Sequence, residues 1–126
     1  MASKTVFVTG SSQGIGAAAA QALAADGYRV IVHYGSNREK AVAVVTGIEA
    51  AGGSAALVGG DLSDPDTPAQ LASDVAALCP DGLQALVLNA AVMPPSDIGT
   101  CTEETFDRIA TINLRAPFFL LQKLSD

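Results

Sequence analysis

An α/β domain with a doubly wound parallel sheet is the fold class this chain predicts, and three observations predict it. Short β-rich runs alternate with helical stretches in the order β-α-β-α-β-α-β-α. A glycine loop joins the first strand directly to the first helix. Hydrophobic residues make up 49% of the chain and aromatics only 5%, so Ala, Val, Leu and Ile must build the core, as suits helices laid on a parallel sheet. The 126 residues are expected to form one domain, 1–126.

The first strand is read at Thr5 to Thr9, and the first helix from Ile15 to Asp26, where Gly27 supplies a left-handed stop. A second strand covers Tyr28 to Tyr34. Gly35-Ser36-Asn37 then caps a helix that reaches Ala51 before Gly52-Gly53. Ala55 to Val58 is a third strand. Ser63-Asp64-Pro65 is expected to open the next helix, with an acceptor side chain before the first turn and a proline whose missing N–H is harmless there; the helix continues to Leu78. Leu83 to Leu88 is the fourth strand, and an irregular stretch with Pro94-Pro95 follows to Cys101. Thr102 caps a last helix with Glu103 and Glu104 in its first turn. Phe106, Ile109, Ala110, Asn113, Ala116 and Leu120 share the stripe of that helix which its periodicity turns inward.

The segment V-F-V-T-G-S-S-Q-G-I-G-A-A-A-A from Val6 to Ala20 carries the chemistry. A diphosphate needs close backbone N–H groups and the positive end of a helix, and a glycine loop feeding a helix N-terminus offers both. Gly10 lets the chain leave the strand, Gly14 lets the backbone approach a ligand, and Gly16 lets the helix pack closely on the sheet. In a parallel sheet ligands lie at the carboxyl ends of the strands. Three further segments fall there: Ser36, Asn37 and Arg38 after strand two, Asp61 and Leu62 after strand three, and Asn89 and Ala90 after strand four. An acidic residue at the end of strand two would hold the ribose hydroxyls of NAD. Here Ser36, Asn37 and Arg38 offer donors that suit the 2′-phosphate of NADP, although Ser36 and Asn37 equally suit helix capping. Asp61 suits either an exocyclic amine or a loop, and Asn89 either a ligand or a turn.

Seven basic against thirteen acidic side chains give a net charge of −6, which argues against nucleic-acid or anionic-membrane partners. Any phosphate must be held locally. Cys79, Cys101 and the sole histidine, His33, lack the spacing of a zinc site, and reduced thiols in a cytoplasmic protein are expected. The first strand starts too early to leave room for a secretory signal, and no apolar run reaches membrane-spanning length.

T-G-S-S-Q-G-I-G at 9 to 16, D-L at 61 to 62, L-N-A-A at 88 to 91 and T-I-N-L at 111 to 114 together resemble the short-chain dehydrogenase/reductase family in order and spacing. The resemblance covers essentially the whole chain but looks like only the first half of a typical member. It implies a Rossmann fold with strand order 3-2-1-4, a nicotinamide dinucleotide with NADP favoured over NAD, and hydride transfer to or from a small-molecule carbonyl or secondary alcohol. By position, Gly10, Ser12, Gln13, Gly14, Ile15 and Gly16 would surround the diphosphate and adenosine ribose. Asp61 and Leu62 would contact adenine, and Asn89 and Ala90 the ribose units. Gln13 stands where NADP users of the family often carry a basic residue.

Asn113 matches the asparagine of the family's catalytic tetrad. Pro117, four residues on, supplies no N–H to the Asn113 carbonyl, so a bend with a free carbonyl is expected, and a buried asparagine there needs partners. The family's tyrosine and lysine have no counterpart, because Tyr28 and Tyr34 are followed four places on by Val32 and Arg38. The 126 residues alone are therefore expected to be inactive. A nucleotide-binding module without catalysis is the alternative reading. Strand four is left with an open edge and the last helix without an apolar partner, so self-association through Phe118, Phe119, Leu120 and Leu121, or cover by further chain, is expected.

Overall fold

The computed structural model describes residues 4–125. Four parallel strands, β1 (Thr5–Val8), β2 (Arg29–Tyr34), β3 (Ser54–Gly59) and β4 (Ala85–Val87), lie in the order β3-β2-β1-β4. The Rossmann topology expected from the resemblance is the one observed. Helices α1 (Gly14–Ala25) and α2 (Arg38–Ala50) cover one face, while α3 (Thr67–Leu78) and α5 (Ala116–Leu124) cover the other. Between them in sequence, α4 (Glu103–Ala110) leads into a π-helical segment, Thr111–Arg115.

The two-residue period of the strands sorts side chains between two cores. Val6, Val8, Val30 and Val32 point toward α1 and α2, where Ala20, Ala41, Val44 and Ile48 meet them. Phe7 and Ile31 point the other way, onto Leu71, Val75, Ala116 and Leu120. Complete burial of each large side chain contributes about 1.5–3 kcal/mol. His33 continues the Phe7 and Ile31 face and is itself buried, its ring standing edge-on to Phe7.

Four expectations need correction. The third helix starts at Thr67, not near Ser63, because Ser63 and Asp66 are drawn into successive side-chain turns by Asp61 and Asp64. β4 is only three residues long, since it pairs with β1 on one side alone and Gln84 is held by Thr5 through backbone and side chain. The last helix is not one continuous α-helix. Its proline is absorbed by a π turn in which the Ala116 N–H donates to the Thr111 carbonyl five residues back. That extra residue rotates the stripe, so Ile112 enters the core while Phe106 stays 65% exposed. Finally, the last helix does have an apolar partner, because Ile112, Ala116 and Leu120 pack on Leu71 and Val75 of α3. Phe118 and Leu121 remain exposed.

Candidate nucleotide site

A groove of about 460 Å³ opens at the carboxyl ends of the strands. It is lined by Gly10, Ser12, Gln13, Gly14, Ile15 and Gly16, by Ser36, by Asp61 and Leu62, and by Asn89 and Ala90. Four segments far apart in sequence thus meet, the second through Ser36 and not through Asn37 or Arg38. A larger hollow of about 730 Å³ beside α4 is lined by Met93, Pro94, Ile98 and Phe106 and shares none of the glycine loop. Only the smaller groove gathers backbone amides and charged groups from several strand ends, so it is the candidate site.

The first part of the glycine loop, Thr9 to Ser11, is pinned to the strand ends by hydrogen bonds. Thr9 N–H donates to the Val87 carbonyl at 3.0 Å, and the Thr9 hydroxyl accepts from the N–H groups of Asn89 and Ala90, both at 3.0 Å. Gly10 N–H donates to His33 Nδ1 at 2.9 Å, and Ser11 N–H to the His33 carbonyl at 3.1 Å. The Ser11 hydroxyl, fully buried, donates to the Val8 carbonyl and accepts from His33 N–H. The Gly10 amide is therefore turned inward and is not one of those offered to a ligand. The N–H groups of Ser12 and Gln13 have no partner among the described residues, and those of Gly14, Ile15 and Gly16 open α1, where helix geometry leaves N–H groups unpaired.

Glycine is needed at two of these positions for different reasons. Gly14 has φ +60° and open space where a side chain would stand, so an approaching ligand meets bare backbone. A Cβ at Gly16 would overlap the Gly10 carbonyl and the Asn89 side-chain amide. Gly16 thus serves contact of the helix with its own loop, rather than with the sheet as the sequence suggested. Asn89 Nδ2 donates to the carbonyls of Thr9 and Gly10, at 3.2 and 3.1 Å, which makes this residue a clamp across the strand ends and not a local turn former.

On the adenosine side, Asp61 Oδ1 accepts from Ser63 N–H at 2.9 Å and from the Ser63 hydroxyl at 2.7 Å. These bonds hold the Asp61 carboxyl below its ordinary range, aided by the Arg108 guanidinium. Oδ2 keeps no partner among the described residues. Leu62 is buried in the core and borders the groove. Asn37 caps α2 by accepting from Lys40 N–H, and Asn37 and Arg38 lie outside the groove lining, exposed in the first turn. Sequence reasoning missed Lys40, whose ammonium donates to Gln13 Oε1 at 2.6 Å. The basic group absent at position 13 arrives from α2.

Asn113 does not line the groove. Its side chain accepts from Val92 N–H at 2.9 Å and donates to the Val92 carbonyl at 2.8 Å, which supplies the partners a sheltered asparagine needs. It steadies the chain leaving β4. Thr9, Ser11, His33 and Arg108 were also missed, and the one available signal was a lone histidine ending an apolar strand.

The groove's bare amides and pinned loop, with Arg108 in its lining and Lys40 held beside it by Gln13, fit a dinucleotide, and the family comparison agrees. Residues 4–126 match the family described as short chain dehydrogenase. The chain belongs to the short-chain dehydrogenases. Among curated relatives, versicolorin reductase 1 of Aspergillus parasiticus is 35% identical over 120 residues, 95% of this chain and 45% of that protein. Elsinochrome reductase 1 of Elsinoe fawcettii is 38% identical over the same shares. The angucycline C-6 ketoreductase LanV with bound NADP superposes with a TM-score of 0.93 at 36% identity, covering 97% of this chain and 49% of that one. The 3-oxoacyl (acyl-carrier-protein) reductase of Agrobacterium tumefaciens with NADP bound gives 0.89 at 35%, with 96% and 46% covered. This short-chain dehydrogenase spans about half the length of the curated relatives it matches. No helix among the described residues is long and apolar enough to cross a membrane.

Proposed function

We propose that this chain forms the NADP-binding part of a cytoplasmic oxidoreductase that transfers hydride between NADP(H) and a small-molecule carbonyl or secondary alcohol. The observation that carries the reading is the loop itself: unpaired N–H groups from Ser12 to Gly16 border a groove whose walls are pinned by Thr9, His33 and Asn89. NADP-bound relatives at 35–38% identity support the choice of cofactor.

In this reading the loop amides hold the diphosphate, with Gly14 giving the closest approach. Asp61 Oδ2 accepts from the adenine amine while Leu62 packs beneath it. Asn89 and Ala90 flank the ribose units. Ser36, Arg38 and Lys40 receive the 2′-phosphate, with Gln13 holding the Lys40 ammonium at the rim. NADP, when bound, supplies the hydride or its acceptor. Asn113, which matches the asparagine of the family's catalytic tetrad, positions the Val92 backbone from the π-helical segment. The chain associates with a second copy through β4 and the exposed side of α5, where Phe118 and Leu121 stand in solvent.

Titration of the protein with NADPH, followed by nicotinamide fluorescence, tests the reading. Saturable binding tighter than that of NADH is expected; absence of binding to either would overturn it.

A further inference from the structure

His33 is the only histidine of the chain and is fully enclosed, yet no sequence motif assigned it a task. All four of its polar atoms are engaged. Three face the glycine loop: Nδ1 accepts from Gly10 N–H, the backbone carbonyl from Ser11 N–H, and its own N–H donates to the Ser11 hydroxyl. The fourth, Nε2, lies 2.9 Å from the Gly60 carbonyl at the end of β3. A carbonyl only accepts, and a backbone N–H only donates, so the ring must carry its proton on Nε2 and none on Nδ1.

We propose that His33 is a positioning residue for the dinucleotide, that its neutral Nε2–H form sets the glycine loop in the conformation that binds, and that protonation of the ring weakens binding. This inference rests on the nucleotide reading above. An imidazolium has donors at both nitrogens, so Nδ1–H would face Gly10 N–H at 2.9 Å and an attraction would become a repulsion. The loop must then turn away. Gly10 cannot rotate alone, because its carbonyl is held by Asn89 and Ala90 fills the space where a side chain would stand, so the strain passes along the loop to the amides of Ser12 and Gln13.

Burial opposes the charged ring and holds its pKa below the ordinary value, more strongly than the Gly60 carbonyl raises it. The effect therefore appears on the acid side of neutrality. Folding follows the same sign: the unfolded chain takes up the proton more readily, so stability is full above about pH 6.5 and declines as pH falls. The groups packed around the ring from β1, β3 and the loop, Phe7, Gly60, Gly10 and Ser11, do not titrate. The charged groups on the groove are the Asp61 carboxylate, already held low by Ser63, and the Arg108 guanidinium.

The test uses tag-free protein and ADP-ribose, whose diphosphate keeps its charge over the range, in calorimetric titrations from about pH 8 down to about pH 5.5. Affinity is expected to fall progressively below about pH 6.5, by less than about tenfold at about pH 5.5 because the ring's pKa lies below its ordinary value, and His33→Asn, which keeps an acceptor and a donor but cannot titrate, is expected to abolish that slope. A wild-type profile as flat as that of the variant would overturn the proposal. Nitrogen NMR gives a second readout needing no assignment, since one imidazole is present: a pyridine-type Nδ1 at neutral pH is required, and the Nδ1–H tautomer would refute it. Failure of the wild type to bind ADP-ribose even at pH 8 would instead count against the nucleotide reading, leaving the tautomer measurement to decide the role of His33 in the loop.

Discussion

The Asn113 carboxamide lies flat against the backbone of Val92, accepting its N–H at 2.9 Å and donating to its carbonyl at 2.8 Å. A side chain on the π-helical segment thus pairs with the backbone of Val92, in the stretch that leaves β4. Asn113→Ala is expected to leave both Val92 groups unpaired and to cost about 1–3 kcal/mol of folding stability. Asn113→Asp should be no milder, because a carboxylate has nothing to donate to the carbonyl. Urea unfolding of the three proteins, compared at constant slope, checks both.

Gly14 and Gly16 separate folding from binding. Gly16→Ala drives a methyl group into the Gly10 carbonyl and the Asn89 amide, and should destabilise the fold by about 1–3 kcal/mol. Gly14→Ala meets open space and pays only for its left-handed backbone, about 1 kcal/mol. Its added methyl stands on the groove, however, so NADPH affinity is expected to drop by about tenfold or more with the smaller change in melting temperature. Fluorescence titration beside thermal unfolding tells the two variants apart.

Lys40 is expected to discriminate between cofactors. Its ammonium is exposed and held by Gln13, so Lys40→Ala should weaken NADPH binding by about three- to tenfold and leave NADH binding unchanged. Gln13→Ala should give a smaller loss of the same kind. Raising the salt should shrink the difference, because an exposed contact is screened. Equal losses for both cofactors would remove Lys40 from the 2′-phosphate site.

Leu114, Phe118 and Leu121 follow one another at helical spacing and are 71%, 59% and 53% exposed. The wild-type chain is expected to scatter light as a species larger than a monomer, and the triple change Leu114→Ser, Phe118→Ser and Leu121→Ser to return it to a monomer without loss of helix signal. A monomeric wild type would end the association proposal.

The alternation of β-rich runs and helices, and the glycine loop between Val8 and Ile15, determined the parallel sheet, its helical cover and the end of the sheet where the groove opens. These are local signals, written in side-chain period and in backbone permissiveness, and they survive without knowledge of the partners. What only the tertiary structure decided depends on groups distant in the chain: the inward turn of the Gly10 amide onto His33, the Asn89 clamp across two strand ends, the delivery of Lys40 to Gln13, and the π turn that exchanges Phe106 for Ile112 in the core. Hydrogen bonds between residues 20 to 80 positions apart leave no periodic trace, and one extra residue in a helical turn changes which face is buried without altering the sequence pattern that predicts the helix.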